Sequence, residues 1–220
     1  DNFAELTAEL TAELTAELSL RKSQVKFYKN NLLIYENSNH KPLCELYKIL
    51  DNKRKPISKA SRVAGPYPYY GANGIQDYVN DYLFEGDHLL VGEDGSVITP
   101  DGNPVVNWAD GKFWVNNHAH IIFSETYYSL RFLYYFLQTT NIKDLVHGNI
   151  PKLTGGNLKQ IMVPVLTDEQ KRIIVDTLDS FDAYINDING VLPNEIDLRK
   201  KQYEYYRDKL LTFKEADSEN

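Results

Sequence analysis

Leucine falls at every fourth residue of the opening stretch, TAELTAELTAEL (7–18), with a partial copy, AEL, at 4–6. Thr, Ala, Glu and Leu include three good helix formers, so the spacing predicts one helix continuous from 4 to about 33. Beyond residue 37 the pattern changes. Short aromatic and β-branched runs such as PYPYY, IQDYV and KFWV are broken by Gly, Pro, Asn-Gly and Asp-Gly, which predicts strands and tight turns. HLLVGEDGSVI and ITPDGNPVV predict hairpins turning at Asp94-Gly95 and Asp101-Gly102. In YYSLRFLYYFLQTT, Leu130, Leu133 and Leu137 recur at helical spacing, and LKQIMVPV reads as a strand that stops at Pro164. Thr167 and Gln170 then form a T-x-x-Q capping box. It opens a helix with Ile174, Leu178, Phe181 and Ile185 on one face. Gly190 and Pro193 are expected to break that helix, with a second running from about 194 to 213.

The two ends of the chain are copies of each other. ELSLRKSQVKFYKNNLL (17–33) aligns without gaps on EIDLRKKQYEYYRDKLL (195–211), identical at eight of seventeen positions. Leu18, Val25 and Leu32 recur as Ile196, Tyr203 and Leu210, and Tyr28 and Tyr35 as Tyr206 and Phe213. Large apolar side chains seven residues apart predict a helix-pairing seam. Three segments follow: a spacer helix at 1–36, a mixed α/β domain with short twisted strands at 37–165, and a helical region at 166–220. The fold class is α+β. A unit of about 178 residues is present once, preceded by the tail of another. That implies either a parent protein with two such units or two chains about a two-fold axis.

Composition narrows the function. The net charge of −7 resolves into −2 over 1–37, zero over 38–165 and −5 over 166–220, so the acid lies in the end segments. Within the neutral middle, KRKPISKASR (53–62) packs five basic residues into ten, which suits phosphate binding. No apolar run approaches the roughly 18 residues of a membrane span, and no basic-then-apolar signal opens the chain. The single cysteine, Cys44, excludes an internal disulfide and points to a reducing, cytoplasmic setting. A chain that begins at Asp1 instead of Met reads as a fragment or a processed product.

The phrases GPYPYYGANGIQDYV, LLVGEDGSVI, GKFWVNNHAHII, PKLTGGNLKQIMVPV, DEQKRIIVDTLDSFDA and LRKKQYEYYRDKLL together resemble the specificity subunit of type I restriction–modification enzymes, over nearly the whole chain. The resemblance implies a non-catalytic, sequence-specific DNA-binding subunit. Each target-recognition domain would read one half of an interrupted double-stranded site. The conserved helices would pack antiparallel as a coiled-coil-like bar. The family carries two recognition domains and this chain one, so it resembles the distal half and is expected to homodimerise. In the family the TAEL-type copy number goes with the spacing between half-sites. Partner modification subunits would carry the S-adenosylmethionine-dependent methyltransferase, and restriction/translocase subunits would use ATP and Mg²⁺. No cofactor is expected in this chain.

Phosphate contacts need Lys, Arg and small polar donors, and base reading needs polar side chains on a rigid scaffold. Candidates are Lys53, Arg54, Lys55, Lys59 and Arg62 in the basic loop, then Tyr67, Tyr69, Tyr70 and Asn73 around the glycine-bounded turn. Lys112, Asn116, Asn117, His118 and Lys152 follow from segments that the resemblance assigns to the same domain. At least half of the tyrosines are expected to pack instead. The helix-pairing residues are Leu18, Val25, Tyr28, Leu32, Ile196, Tyr203, Tyr206, Leu210 and Phe213. A metal-dependent nuclease is the rival: His118 and His120 share one face of a predicted strand, and Glu93 and Asp94 are adjacent carboxylates. Hydrogen-bonded strand histidines and Asp-Gly turn chemistry explain those residues more simply, so no metal site is expected. A protein-only assembly module is a third reading. There is no P-loop, dinucleotide glycine motif or Asn/Asp-Pro-Pro-Tyr/Phe methyltransferase motif.

Overall fold

The computed structural model describes residues 2–34, 38–95 and 97–211, apart from the side chains at 2–4, 6–7, 187–193, 195–196, 199–200, 203 and 206–211. Two units divide the chain: Asp1–Leu32 with Thr177–Asn220, and Leu33–Asp176.

Leucines four residues apart advance by about 40° around an α-helix, so a strict four-residue stripe winds away from a partner unless shorter steps bring it back. In α1 (Asn2–Leu32) the buried and half-buried side chains include Leu10, Leu14, Leu18, Arg21, Val25, Lys29 and Leu32. Those steps of four, four and three make an 11-residue pattern, which lets a helix pair run nearly straight. It differs from the expected heptad at Tyr28, which is 47% exposed and lies at the seam's margin. Val25 is buried and Leu18 and Leu32 are half-buried. The partner is α5 (Asp168–Leu211). Arg21 bonds to Tyr184, the Tyr28 ring lies 6.3 Å from that of Phe181, and Lys29 pairs with Asp182. Partner numbers fall along α5 from Arg21 to Tyr28, so the two helices are antiparallel. The side chains of Ile196, Tyr203, Tyr206 and Leu210, and Tyr35 and Phe213 altogether, lie outside the described residues.

The expected break at Gly190 and Pro193 is absent, because α5 runs through both. Carrying Pro and Gly in a helix costs roughly 3 and 1 kcal/mol. Stopping and renucleating, at a nucleation constant of about 10⁻³, costs on the order of 4 kcal/mol. Those penalties are similar, so the two residues do not suffice to end the helix. At the other end, the predicted capping box forms: Thr167 N donates to Gln170 Oε1 (2.9 Å) and Gln170 N to Thr167 Oγ1 (3.2 Å).

Among the described residues, the second unit holds β1 (His40–Pro42), α2 (Leu43–Leu46), β2 (Lys48–Ile49), β3 (Ala64–Gly71), β4 (Gly74–Val79), β5 (Phe84–Glu85), β6 (His88–Gly92), β7 (Val106–Ala109), β8 (Lys112–Val115), β9 (Ala119–Phe123), α3 (Tyr127–Thr139), β10 (Val146–His147), β11 (Lys152–Leu153), α4 (Gly155–Lys159) and β12 (Met162–Pro164). One sheet has the order β2-β9-β6-β7 and is antiparallel throughout. The other has the order β4-β3-β8-β5, with a parallel β3–β8 pair that sets Tyr69 beside Trp114. Tyr70, Phe84, Phe113 and Val115 from the second sheet and Leu90, Ala109, Ala119 and Ile121 from the first form a common core. Its apolar burial is the main stabilising contribution. α3 opens at Thr126, whose hydroxyl accepts from Ser129 N, and buries Leu130, Phe132, Leu133, Tyr135 and Leu137.

Two local expectations change. Asp94-Gly95 does not close a hairpin, because Asp94 bridges to Lys152 and Gly95 N donates to Pro151 O (3.1 Å), tying this stretch to a distant one. The turn at Asp101-Gly102 does form, with Gly102 at φ +92°. LKQIMVPV is not one strand: Leu158 and Lys159 end α4, and only Met162–Pro164 pairs, antiparallel with His40–Pro42. Among the described residues, no helix is long and apolar enough to cross a membrane.

Candidate nucleic-acid interface

The fold sorts the basic stretch 53–62 by side-chain chemistry. Both arginines turn inward. Arg54 donates from Nη1 to Glu93 Oε2 (2.6 Å), Ala119 O (2.8 Å) and Asn117 O (3.3 Å), and from Nε to Asp51 O (3.0 Å). Arg62 donates to Ile57 O (3.2 Å) and Asp77 Oδ2 (3.2 Å) and lies 4.2 Å from the centre of the Tyr69 ring. A planar fork of five donors serves several acceptors at once, whereas the compact ammonium of lysine is best left hydrated. Accordingly Lys53, Lys55 and Lys59 are exposed and join no ion pair among the described residues. The loop beneath them is anchored. Ile57 packs on Tyr69, Val79 and Trp114, Trp114 Nε1 donates to Lys55 O (2.6 Å), and Ile57 N donates to the Tyr69 hydroxyl (3.0 Å).

Lys55 N donates to Val115 O (3.3 Å), which sets the loop beside the end of β8. There the chain turns through Asn116, Asn117 and His118 into β9. Asn116 N donates to Tyr70 O (3.1 Å), its Oδ1 accepts from His118 N (2.8 Å), and its Nδ2 donates to Gln76 Oε1 (3.2 Å). Glu93 N donates to His118 O (2.8 Å), and His118 Nδ1 lies 2.6 Å from Asp94 Oδ1. Lys152 reaches Glu93 Oε1 at 3.2 Å. The β3–β4 hairpin tip lies against the end of β6, since a side chain at Gly92 would start 3.0 Å from Ala72 O. The tip itself needs glycine at Gly74, where φ is +106°. Lys55, Asn73, Asn117, His118 and Lys152 therefore share one end of this unit.

Beneath that end lies a closed set of charges. His120 is 1% exposed, with Nδ1 at 2.6 Å from Asp51 Oδ2 and Nε2 at 2.8 Å from Leu153 O. A carbonyl only accepts, so Nε2 carries a hydrogen. Burial pushes the Asp51 carboxyl up, but the hydrogen bond and charge of His120, the Ile121 N–H and Arg54 outweigh it and hold it below its ordinary value. Glu93 behaves alike: burial raises it, and Arg54, His120 and Lys152 together bring it below the usual carboxylate range. Glu93 and Asp94 thus face cations or histidine, and no cluster suited to a metal ion is found among the described residues. The expected sharing of a strand face by His118 and His120 does not hold. His118 sits in the turn before β9, and the two rings go to different carboxylates.

The sequence candidates divide accordingly. Lys53, Lys55, Lys59, Asn73, Asn117, His118 and Lys152 are exposed. Tyr69 and Asn116, at 1% and 3% exposure, and Tyr70 are buried in the scaffold, so no duplex reaches them directly. Arg54 and Arg62 spend their donors internally. Tyr67 packs on Tyr82 with 5.1 Å between centroids, and Lys112 lies 4.5 Å over the same Tyr82 ring. Two amides went unnoticed in the sequence: exposed Gln76, bonded to Asn116, and Asn107, whose Nδ2 is buried without a partner among the described residues. Gln76 stands two residues past Gly74, and the predicted turn there was its signal. Asn107 had none.

Residues 35–198 match the type I restriction modification DNA specificity domain. S.HindORF215P of Haemophilus influenzae, named as a type I restriction enzyme specificity subunit, is 42% identical over 180 residues, covering 80% of this chain and 46% of its own. The type I restriction enzyme EcoprrI specificity subunit of Escherichia coli is 32% identical over 199 residues, covering 87% and 48%. The chain therefore spans about half the length of these relatives. The S subunit of a type I restriction–modification system from M. genitalium shares the fold with a TM-score of 0.63 at 14% identity, over 91% of this chain and 57% of that one. With its fold and its sequence in agreement, this chain belongs to the type I restriction modification DNA specificity domain family.

Proposed function

We propose that the chain is a non-catalytic DNA-recognition subunit. Its mixed unit reads half of an interrupted double-stranded site, and its helices set the distance to the other half. The observation that carries this is the end of the unit where exposed lysines, free of ion pairs among the described residues, stand on an anchored loop beside exposed amides. Phosphate positioning and base reading need those two chemistries together. Family membership supports duplex DNA as the ligand.

The 31 residues of α1 extend roughly 46 Å at about 1.5 Å per residue. Half-sites one DNA turn apart are separated by roughly 34–36 Å. One added TAEL unit advances the helix about 6 Å and turns it about 40°. One base pair advances about 3.4 Å and turns roughly 35°. Rotation nearly matches, and tilt or bending absorbs the excess translation, so copy number acts as a ruler. With one recognition unit, the chain pairs with a second copy on inverted half-sites. Methyltransferase and restriction/translocase subunits supply the chemistry, with S-adenosylmethionine, ATP and Mg²⁺ held there. Leu20 and Phe27 are 70% and 62% exposed, and their repeat counterparts Leu198 and Tyr205 are both 61% exposed. Matching apolar positions on both copies support docking of partner helices.

Selection of duplexes from a random library by the full chain at low salt tests this. Two inverted half-sites with a fixed gap are expected, and deleting Thr11–Leu14 shifts the gap while leaving both half-sites intact. Absence of enrichment and of salt-dependent binding would favour a protein-only assembly module.

A further inference from the structure

The 116–118 turn presents one side chain that the rest of the molecule does not use. Its backbone is held from several sides: Asn116 N by Tyr70 O, His118 N by Asn116 Oδ1 and His118 O by Glu93 N. Arg54 bridges its far side, donating from Nη1 to both Asn117 O (3.3 Å) and Ala119 O (2.8 Å), while Glu93 at 2.6 Å holds the guanidinium in place. The Asn117 amide, by contrast, is exposed and has no hydrogen-bond partner among the described residues. An asparagine amide offers one donor and one acceptor side by side, the complement of the N6 and N7 edge of adenine in the major groove. Such a pair discriminates only where its scaffold is rigid to within about 0.5 Å. Exposed Lys55 and Lys152 at the same end suit the flanking phosphates.

We propose that Asn117 reads an A·T pair in each half-site and that Arg54 is the positioning residue that holds it in register. The assignment rests on the DNA-recognition reading, and it goes further by naming a reader and the group it reads. Arg54 itself, although basic, touches no DNA.

The test compares a duplex enriched by the unaltered full chain with a scrambled duplex of equal length, at one salt concentration. The readout is the ratio of the two dissociation constants. Asn117→Ala is expected to lower that ratio roughly 5- to 150-fold, the range for one bidentate base contact. A repeated selection with this variant should lose preference at one A·T pair per half-site and keep the rest. Arg54→Lys keeps the charge but loses the Nε donor to Asp51 O and the planar fork that sets Nη1 against the two carbonyls, so it should lower the ratio similarly. The double variant should fall no further than Asn117→Ala alone, within about two-fold, because coupled residues are not additive. An unchanged profile for Asn117→Ala overturns the assignment, whatever Arg54→Lys does to folding. Losses that multiply in the double variant overturn the positioning role. Failure of the unaltered chain to enrich any duplex removes the DNA-recognition reading, and this assignment with it.

Discussion

The two units stabilise themselves in opposite ways. Leu33–Asp176 contains a buried charge network connected over long stretches of chain: Asp51 to His120 spans 69 residues and Arg54 to Glu93 spans 39. In the helical unit exposed, local pairs such as Glu17 with Arg21, one turn apart at 2.7 Å, stand beside the half-buried pair of Lys29 with Asp182. A long-range network fixes the place of each member and tolerates little change. A repeat of locally satisfied turns can lengthen or shorten without disturbing its neighbours. The first suits a surface that must present particular groups in register, and the second suits a part whose variable is length.

That contrast yields a graded set of outcomes. Asp51→Asn should be the most damaging, because it leaves buried His120 and Arg54 short of a counter-charge. A loss of about 3 kcal/mol is expected from the urea midpoint of the mixed unit. A loss under about 1 kcal/mol would mean the network is not what holds the loops together. Next comes Lys53, Lys55 and Lys59 changed together to Gln. With a salt slope of roughly 0.9 per phosphate contact, the slope should fall by about 2.7 and affinity near 0.15 M salt by roughly 100-fold, with folding retained. A pH series is a gentler probe. Asp51 and Glu93 both sit below their ordinary values in the folded chain. Their contribution is therefore present above the unfolded carboxylate range, about pH 4, and is lost as pH falls through the folded values. Thermal midpoints should hold above about pH 5 and decline below about pH 4, more shallowly in Glu93→Gln. The smallest effect belongs to the helical unit: Glu17→Gln should change stability by less than about 0.5 kcal/mol. A larger loss there would erase the distinction between the units.

How far the chain could be read in advance depended on the range of the interactions. The TAEL helix, the α3 helix, the capping box at Thr167 and Gln170 and the Asp101-Gly102 turn are set by residues within a few positions of one another, and all were legible. The local penalty of Gly190 and Pro193 predicts a break, but the cost of starting a second helix is similar and the helix continues. The basic stretch was legible as a charge cluster. Its division into inward arginines and outward lysines was not, since the acceptors for Arg54 come from Glu93, Asn117 and Ala119. The same holds for the histidines: their two-residue spacing suggested a shared face, and their partners Asp94 and Asp51 separated them.

By itself, then, the sequence determined the repeat, the helical ends, the mixed middle and the kind of chemistry on offer, because periodicity, turn residues and charge act locally. Only the tertiary structure decided which polar groups remain available at the surface. That choice follows from the desolvation penalty of burying a charge, which is met only where chain segments far apart in sequence converge with matching donors and acceptors. Asn116 and Asn117 are adjacent and chemically identical, yet one is consumed by the scaffold and the other is presented.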